Sequence, residues 1–235
     1  MGPDGLASGV SGLVPTQVQT LSPAEIICKN PKMREFIYYS NKGRTSGNFT
    51  DLMKAGRMDI ICHIVINSFF LSQKMRDDVK LHLILNGPPD PPKHIEITAS
   101  TKEGMPETGK EVGSVDISKK DIAGLIKIIL YKYKKGKKSE PYKGIFIEKK
   151  SFVKVIDELK DRNIYLLDKK GEDISKIKIK ENPVFIIGDH EGIPKKVKRY
   201  ILKNKDVNPI SIGPKVYFAS HVVVILNNIL DRNEI

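Results

Sequence analysis

The stretch FIIGDHEGIP, residues 185–194, places an acid, an imidazole and a second acid at 189–191 directly after an apolar run. Three consecutive residues rarely converge on one metal ion, and no HxxxH or HxxE spacing accompanies them, so no metal site is predicted. The phosphate-binding patterns GxGxxG and GxxxxGK[ST] are absent from the stretch as well. Two interpretations remain. Gly188 and Gly192 either shape a strand-to-helix turn or belong to a ligand-binding loop at the carboxyl end of a strand.

The segments around this loop alternate between strand-like and helix-like patterns. Short apolar runs rich in β-branched residues predict strands at 34–39, 79–86, 94–99, 145–148, 164–167, 184–187 and 208–212. Helical periodicity lies between them at 57–72, 122–133, 150–161 and 193–204. The alternation predicts an α/β fold, with a mainly parallel sheet flanked by helices.

The last helix-like segment, ASHVVVILNNILD, is more apolar than a surface helix needs to be. Its apolar residues form two stripes, at 218, 222, 225 and 229 and at 219, 223, 226 and 230. A helix with two stripes is expected either to be deeply packed or to pair with a second subunit.

Residues 1–32 differ in composition from the rest of the chain. They contain four Gly, four Pro, no aromatic residue and few charges, whereas Met33 opens the strand-like segment MREFIYYSN. This contrast predicts a flexible extension over residues 1–32, upstream of a natural start at Met33, and a single domain over residues 33–235. The Pro-rich segment 87–93 and the polar, Gly-rich segment 100–116 are predicted to be loops.

The chain is strongly basic, with 40 Lys plus Arg against 28 Asp plus Glu and a net charge of +12. Residues 118–154 hold twelve Lys and three acids, so nine of the twelve net charges lie there. A balance of this kind predicts a polyanionic partner, nucleic acid before membrane, although such a run is also typical of a solvated Lys-rich face. Its lack of Arg favours loose phosphate attraction over the reading of bases.

Other features bear on where the protein works. The two cysteines, Cys28 and Cys62, lie far apart and cannot build a disulfide framework. No run approaches the ~18 apolar residues of a membrane span. These features predict a cytoplasmic protein with no membrane partner. His63, His82, His94 and His221 have no convincing partners in the sequence and are predicted to be structural.

Three strand-to-loop junctions in the last third of the chain resemble a known family. The junctions IYLLDKKG, FIIGDHEG and ISIGPKVYFASHVVVILNNILD are similar to the cofactor loops of SPOUT-class RNA methyltransferases. The segments MREFIYYSNKGRTSG, AGRMDIICHIVINSFFLS, MRDDVKLHLILNGPPDPP and NPVFIIGDHEGI resemble the archaeal tRNA (pseudouridine(54)-N1)-methyltransferase family, TrmY. The resemblance covers residues 33–235.

The resemblance implies a C-terminal trefoil knot, with the knot and the site for S-adenosyl-L-methionine in about residues 163–235. It also implies a cytoplasmic homodimer that methylates N1 of pseudouridine in tRNA. The positions that match the family's cofactor loops are Leu167, Gly188, Ser211, Ile212, Gly213, Pro214, Lys215 and Val216. A Cys of the relatives' last helix is Val222 here, so no role of that Cys carries over.

The implied chemistry directs attention to the segment GRMD. N1 of pseudouridine must lose a proton before it attacks a sulfonium methyl group, so a carboxylate or a nearby cation would assist. Asp59 is predicted to hydrogen-bond the base, with proton acceptance as one option, and Arg57 to orient the base or bind phosphate. An ordinary local ion pair at a helix start is the alternative.

Lys42, Arg44 and Arg76 are predicted RNA contacts, with solvated surface charge as the alternative for each. Two other functions fit the same features. A related knotted family methylates pseudouridine in ribosomal RNA during ribosome assembly, and a non-catalytic RNA-binding module would use the same basic surface. Cofactor binding and the choice of RNA separate these functions.

Overall fold

The structure, a computed structural model, describes residues 1–2, 32–98 and 118–235. The predicted extension at 1–32 and the predicted loop at 100–116 lie almost wholly outside these residues. Within them, none of the helices has the length and apolar composition needed to cross a membrane.

The described strands form one sheet of eight in the order β4-β5-β3-β2-β1-β7-β6-β8. Strands β2, β1, β7, β6 and β8 are mutually parallel, whereas β3, β5 and β4 add antiparallel pairings at one edge. Their bounds are β1 Arg34–Ser40, β2 Val79–Leu85, β3 Lys93–Thr98, β4 Ser139–Tyr142, β5 Ile145–Glu148, β6 Asn163–Asp173, β7 Pro183–Gly188 and β8 Val207–Ser211. The predicted α/β fold is confirmed.

Helices cover both faces of the sheet. Their bounds are α1 Met58–Phe69, α2 Lys119–Tyr131, α3 Phe152–Glu158, α4 Lys195–Asn204 and α5 Ala219–Arg232, with a short 3-10 turn at Ile174–Lys176. Alternate residues of β1 point to opposite faces. Phe36 and Tyr38 join the cluster that α1, α2 and α5 cover. Ile37 and Tyr39 join the cluster that α3 and α4 cover.

The centre of the sheet sets the position of the functional site. All seven residues of β1 are buried, and β7 lies beside it in parallel register, with Tyr39 opposite Gly188. The carboxyl ends of β1, β7, β6 and β8 therefore lie side by side. Ligands of open α/β sheets bind at this edge, where the strands end and the loops begin.

Strand β6 is longer than its apolar core predicts. Leu167 and Glu172 both pair with Ile210 of β8, so residues 168–171 bulge out of the ladder. Gly171 lies so close to β8 that a Cβ atom there would be 2.4 Å from the Ile210 amide nitrogen. Strand β4, with the sequence SEPY, was not predicted, because its polar residues and proline are unusual in strands away from a sheet edge.

Helix α5 is deeply packed, the first of its two predicted alternatives. Val223, Leu226 and Leu230 are fully buried in the apolar cluster. The amide of Asn67 in α1 donates to the Ser220 carbonyl at 2.9 Å. These contacts hold the end of the chain against α1, which begins at the functional site.

Candidate functional site

A cavity of about 260 Å³ opens at the carboxyl ends of β1 and β7. Four parts of the chain contribute to it: the end of β1, the start of α1, the turn after β7 and the segment that leads into α5. Its lining residues are Tyr38, Arg57, Ile60, Gly188, Asp189, His190, Val216, Tyr217, Phe218 and Ala219.

Arg57 lies at the cavity because the backbone before α1 turns sharply. Gly56 and Arg57 both have positive φ, 78° and 63°, and Arg57 is the N-cap residue of α1. Gly56 packs directly on the preceding loop, since a Cβ atom there would lie 1.7 Å from the Lys42 carbonyl oxygen. Only glycine fits this position, which sets the direction in which the helix and its N-cap residue leave the loop.

Arg57 and Asp59 form a two-point ion pair. Arg57 Nε donates to Asp59 Oδ1 at 3.0 Å, and the terminal guanidinium nitrogen donates to Oδ2 at 3.0 Å. The Asp59 side chain is 13% exposed and does not line the cavity, whereas Arg57 is 36% exposed and does. Because two parallel hydrogen bonds fix a planar guanidinium, Asp59 orients Arg57 toward the cavity.

The charges of this pair are stable at neutral pH. Burial by itself would raise the pKa of Asp59, but the hydrogen bonds and charge of Arg57 and two backbone amides outweigh it, so the pKa is lowered. The pKa of Arg57 is raised, chiefly by its hydrogen bond to Asp59. A carboxylate with a lowered pKa is a weak base, which favours Asp59 as a positioning group over Asp59 as a proton acceptor.

Tyr38 brings a phenol to the same cavity. Tyr38 is 1% exposed. Burial raises the pKa of its hydroxyl, and the negative charge of Asp189 raises it further. The hydroxyl therefore stays neutral at the wall of the cavity, where it hydrogen-bonds the side chain of Ser40.

Asp189 fastens the end of β1 to the turn after β7. Its carboxylate accepts from the Asn41 backbone amide at 2.7 Å and from the Asn41 side-chain amide at 2.9 Å. The same Asn41 side chain also donates to the Gly192 carbonyl at 2.7 Å. Gly188 lies under this turn, with a Cβ position 3.0 Å from Gly192 Cα. The geometry thus gives Asp189 a structural role in shaping the cavity.

The predicted cofactor contacts lie at three neighbouring strand ends. Gly188 and Val216 line the cavity, whereas Leu167, half-buried at the end of the regular part of β6, lies outside it. Ser211 Oγ bonds both the amide and the carbonyl of Gly213, which fixes the turn after β8. Ile212, Pro214 and Lys215 follow on this turn without lining the cavity.

Sequence reasoning missed the residues that complete the wall. Val216, Tyr217 and Phe218 are three consecutive apolar residues, and they are 86%, 44% and 57% exposed. A run of exposed apolar side chains after a Gly-Pro turn is an identifiable signal of a contact surface. Tyr38 gave no such signal, because its strand is buried throughout.

The predicted RNA contacts lie in two different places. Lys42 pairs with Glu191 beside the cavity, and Arg44 Nε bonds Ser46 Oγ at 3.3 Å on the same loop. Arg76 instead makes a two-point pair with Asp231 of α5, at 2.8 and 2.5 Å, and its side chain is 10% exposed. The geometry favours a structural role for Arg76, because its largely buried guanidinium is already neutralised by the carboxylate of Asp231.

Comparisons with known proteins identify the family of the chain. The sequence profile of a family described as SAM-dependent RNA methyltransferases matches residues 33–235. A tRNA (pseudouridine(54)-N(1))-methyltransferase of Methanocaldococcus jannaschii is 37% identical, over 86% of this chain and 98% of the relative. Proteins with the same name from Methanococcoides burtonii and Methanococcus aeolicus are 33% and 36% identical, over 86% and 85% of this chain and 97% and 98% of the relatives.

The fold also has a counterpart among solved structures. The crystal structure of Archaeoglobus fulgidus Nep1 bound to S-adenosylhomocysteine superposes with a TM-score of 0.53 at 12% identity. The match covers 87% of this chain and 99% of the Nep1 chain. The profile match spans nearly all of the chain after residue 32, and the chain therefore belongs to the family of SAM-dependent RNA methyltransferases.

Proposed function

We propose that this protein transfers a methyl group from S-adenosylmethionine to N1 of the pseudouridine at position 54 of tRNA. The names of its relatives support the reaction, since each covers about 85% of this chain. The structural observation that carries the proposal is Arg57. It is held by Asp59 and presented to a cavity at the carboxyl edge of the sheet.

The residues around the cavity fit an adenosine-containing cofactor. The strand ends near Leu167, Gly188 and Ser211 supply backbone amides and carbonyls, and the segment after β8 supplies exposed aromatic rings. Gly213 has φ 124° and open space around its Cβ position, so the turn leaves room for a ligand. When bound, S-adenosylmethionine supplies an electrophilic methyl group. Leu167, Gly188 and residues 211–216 would hold it.

The chain's own groups prepare the nucleophile. Transfer of the N1 proton to solvent water leaves negative charge on the base, and a fixed guanidinium beside it stabilises that charge. Arg57 takes this role, and Asp59 acts as a positioning residue that holds the guanidinium in one orientation. Because Arg57 stays protonated and Asp59 stays ionised, this arrangement does not change near neutral pH.

The basic surface beside the cavity would hold the tRNA backbone. The C-terminal half of α2 packs against the loop after β1, where Lys127 lies 5.0 Å from the ring of Phe49. Lys134, Lys135 and Lys137 follow α2 and are exposed. Together with Lys42 and Arg44 these cations form a surface suited to phosphate groups.

We further propose that the protein is a homodimer. The exposed apolar residues Val216, Tyr217 and Phe218 continue into α5, where Val224 is 48% exposed. Burial of these side chains by a second copy would remove their apolar surface from water. Size-exclusion chromatography with light scattering should find twice the chain mass, and the variant Val224→Lys should shift the protein toward the monomer.

The remaining assignments rest on family membership. Residues 33–235 would act as one domain, with a trefoil knot within about 163–235, and the protein would modify tRNA in the cytoplasm. Proteolysis that removes residues 1–32 and leaves methyl transfer intact would support the domain boundary.

The deciding experiment is mass spectrometry of nucleosides from tRNA incubated with the protein and S-adenosylmethionine. We expect N1-methylpseudouridine from tRNA with pseudouridine at position 54, and none from the same tRNA with uridine there. A pseudouridine-containing ribosomal RNA fragment is the competing substrate. Methylation of that fragment alone would replace the tRNA assignment, and failure to bind the cofactor would leave only an RNA-binding role.

A further inference from the structure

A row of buried polar side chains crosses four strands on the face of the sheet that bears Ile37. His82 of β2 and His94 of β3 lie at its centre, with residue exposures of 4% and 1%. His82 Nε2 lies 3.1 Å from a carboxylate oxygen of Glu35, and His94 Nδ1 lies 3.5 Å from Glu148 Oε1. The other two ring nitrogens, His82 Nδ1 and His94 Nε2, face each other at 3.0 Å.

The carboxylates decide which ring nitrogens carry hydrogen. Arg162 pairs with Glu35 at 2.7 Å and Lys150 with Glu148 at 2.6 Å, so both carboxylates are ionised and act as acceptors. Each therefore favours hydrogen on the histidine nitrogen that faces it. Two neutral rings in these tautomers present two lone pairs to each other at 3.0 Å.

The alternative tautomer leaves a different defect. If His94 Nε2 carries the hydrogen and donates to His82, then His94 Nδ1 turns a lone pair toward Glu148. His94 Nδ1 is buried and has no hydrogen-bond partner within the part of the chain that the structure describes. With His82 Nε2 donating to Glu35, this tautomer satisfies every ring nitrogen except His94 Nδ1, whereas a cation bound by both facing nitrogens would let both outer nitrogens carry hydrogen toward the carboxylates.

A third ligand group lies beside the facing nitrogens. Glu96 is directly opposite His82 in the ladder of β2 and β3, and its ligand atom lies within 4.8 Å of both histidine ligand atoms. Its side chain is 17% exposed and lies 3.5 Å from the ammonium group of Lys138, so the row has an opening at this end, where a bound cation would take the place of Lys138. Two imidazoles and one carboxylate form a typical zinc ligand set that leaves a fourth position for water.

We propose that His82 Nδ1, His94 Nε2 and the carboxylate of Glu96 bind one divalent transition-metal ion, with Zn²⁺ as the best match. The outer nitrogens of both histidines face carboxylates, which is how metal-binding histidines are usually oriented. None of these residues lines the cavity at the carboxyl edge. The ion joins neighbouring strands and has a structural role, which is independent of the proposed methyl transfer.

The test is the titration of chelator-treated protein with ZnCl₂. Isothermal calorimetry measures the binding, and thermal unfolding measures its effect on stability. We expect one equivalent of Zn²⁺ per chain. Free Zn²⁺ at 100 times the dissociation constant should raise the Tm by roughly 5–10 °C. Co²⁺ at the site should give the ligand-field absorption of a four-coordinate N/O centre.

Variants identify the ligands. Glu96→Gln keeps the shape of a partly exposed side chain and should lower Zn²⁺ affinity by roughly 10–100-fold, and His94→Gln should abolish stoichiometric binding. His63→Gln, at an exposed position on α1, is the matched control and should bind as the parent chain does. Circular dichroism of the metal-free variants checks that each is folded.

Two results would overturn the proposal. If the folded, chelator-treated protein takes up no Zn²⁺ or Co²⁺, the two histidines are joined by a hydrogen bond and hold no metal ion. If Zn²⁺ binds equally well to the parent chain and to folded Glu96→Gln, the ion lies elsewhere, with the exposed His190 loop as the first place to look.

Discussion

Arg57 illustrates how one residue obtains its position from several local constraints. A non-glycine residue in the left-handed region is uncommon and is often found at functional sites. Here Gly56 forces the turn, the N-cap position of α1 sets the backbone direction, and Asp59 fixes the guanidinium. Arg57, which stays positively charged, is thus the member of the pair that faces the cavity.

Asp59→Asn separates positioning from proton transfer. The amide keeps one hydrogen bond to Arg57 but loses the charge, so turnover should fall by roughly 10–100-fold while the affinity for S-adenosylmethionine stays within about twofold. Because the pKa of Asp59 is already lowered, the parent enzyme should show no loss of kcat from its protonation between pH 6 and 8. The opposite result would be a fall in the parent's kcat toward acidic pH, near neutral pH, that is absent in Asp59→Asn. That result would establish Asp59 as the proton acceptor.

At the scale of elements, Gly56 holds the start of α1 against the loop after β1. In Gly56→Ala the new methyl group would meet the Lys42 carbonyl oxygen at 1.7 Å, at a φ of 78° that alanine resists. The expected loss is more than about 3 kcal/mol of unfolding free energy, measured by urea denaturation. Gly124→Ala is the matched control, because nothing lies within 4 Å of that position in α2. It should stabilise the protein by about 0.5–1 kcal/mol, and equal losses in both variants would contradict the argument.

Asp231 connects α5 to the first residue of β1 and to the segment that precedes β2. It pairs with Arg76 and with Arg34, whose side chains are 10% and 6% exposed. Asp231→Asn removes the carboxylate that pairs with Arg76 and leaves Arg34 with Asp78, at 2.7 Å, as its remaining carboxylate partner. Because Asp231 itself is 42% exposed, we expect a loss of about 2 kcal/mol, below the value of about 3–5 kcal/mol for a fully buried pair.

The same pair predicts how this loss depends on pH. The pKa of Asp231 is lowered in the folded protein, chiefly by its hydrogen bonds from Arg76. Burial raises this pKa by a smaller amount. The carboxylate therefore contributes its full stabilisation above its unfolded pKa of about 3.9 and loses it as the pH falls through the lower folded value. Urea unfolding should show the full difference between parent and Asp231→Asn at pH 6 and a clearly smaller one at pH 3. A difference that stays constant with pH would rule out the ion pair as its cause.

At the scale of the whole molecule, local patterns predicted more than long-range pairings. The parallel strands and the Arg57–Asp59 neighbourhood follow from apolar runs and from residues two positions apart. The pairs Asn41–Asp189 and Arg76–Asp231 join residues 148 and 155 positions apart, and nothing in either local sequence identifies the partner. His82 and His94 become a cluster only through the antiparallel register of β2 and β3, which the predicted strands did not specify.

The distribution of charge yields a prediction for the whole enzyme with its substrate. The exposed Lys134, Lys135 and Lys137 lie between β4 and the end of α2, which packs on Gly47 of the loop after β1, so we expect them at the same edge of the sheet as the cavity and within reach of tRNA phosphates. Replacing all three with Gln should weaken tRNA binding and reduce the slope of log K against log salt by about 2–3, while cofactor affinity is unchanged. Fluorescence anisotropy over a salt series measures both quantities.

The matched control for this prediction removes the same charge from the opposite edge of the sheet. Lys32, Lys160 and Lys180 are exposed shortly before the amino ends of β1, β6 and β7, at the edge of the sheet away from the cavity. Their replacement with Gln lowers the net charge equally, so any effect of overall charge on long-range attraction appears in both variants. Only the variant at 134–137 should show the loss of slope, because counterion release requires close contact with phosphate groups. Equal losses in both variants would mean that tRNA responds to the total charge of the protein rather than to a defined surface beside the cavity.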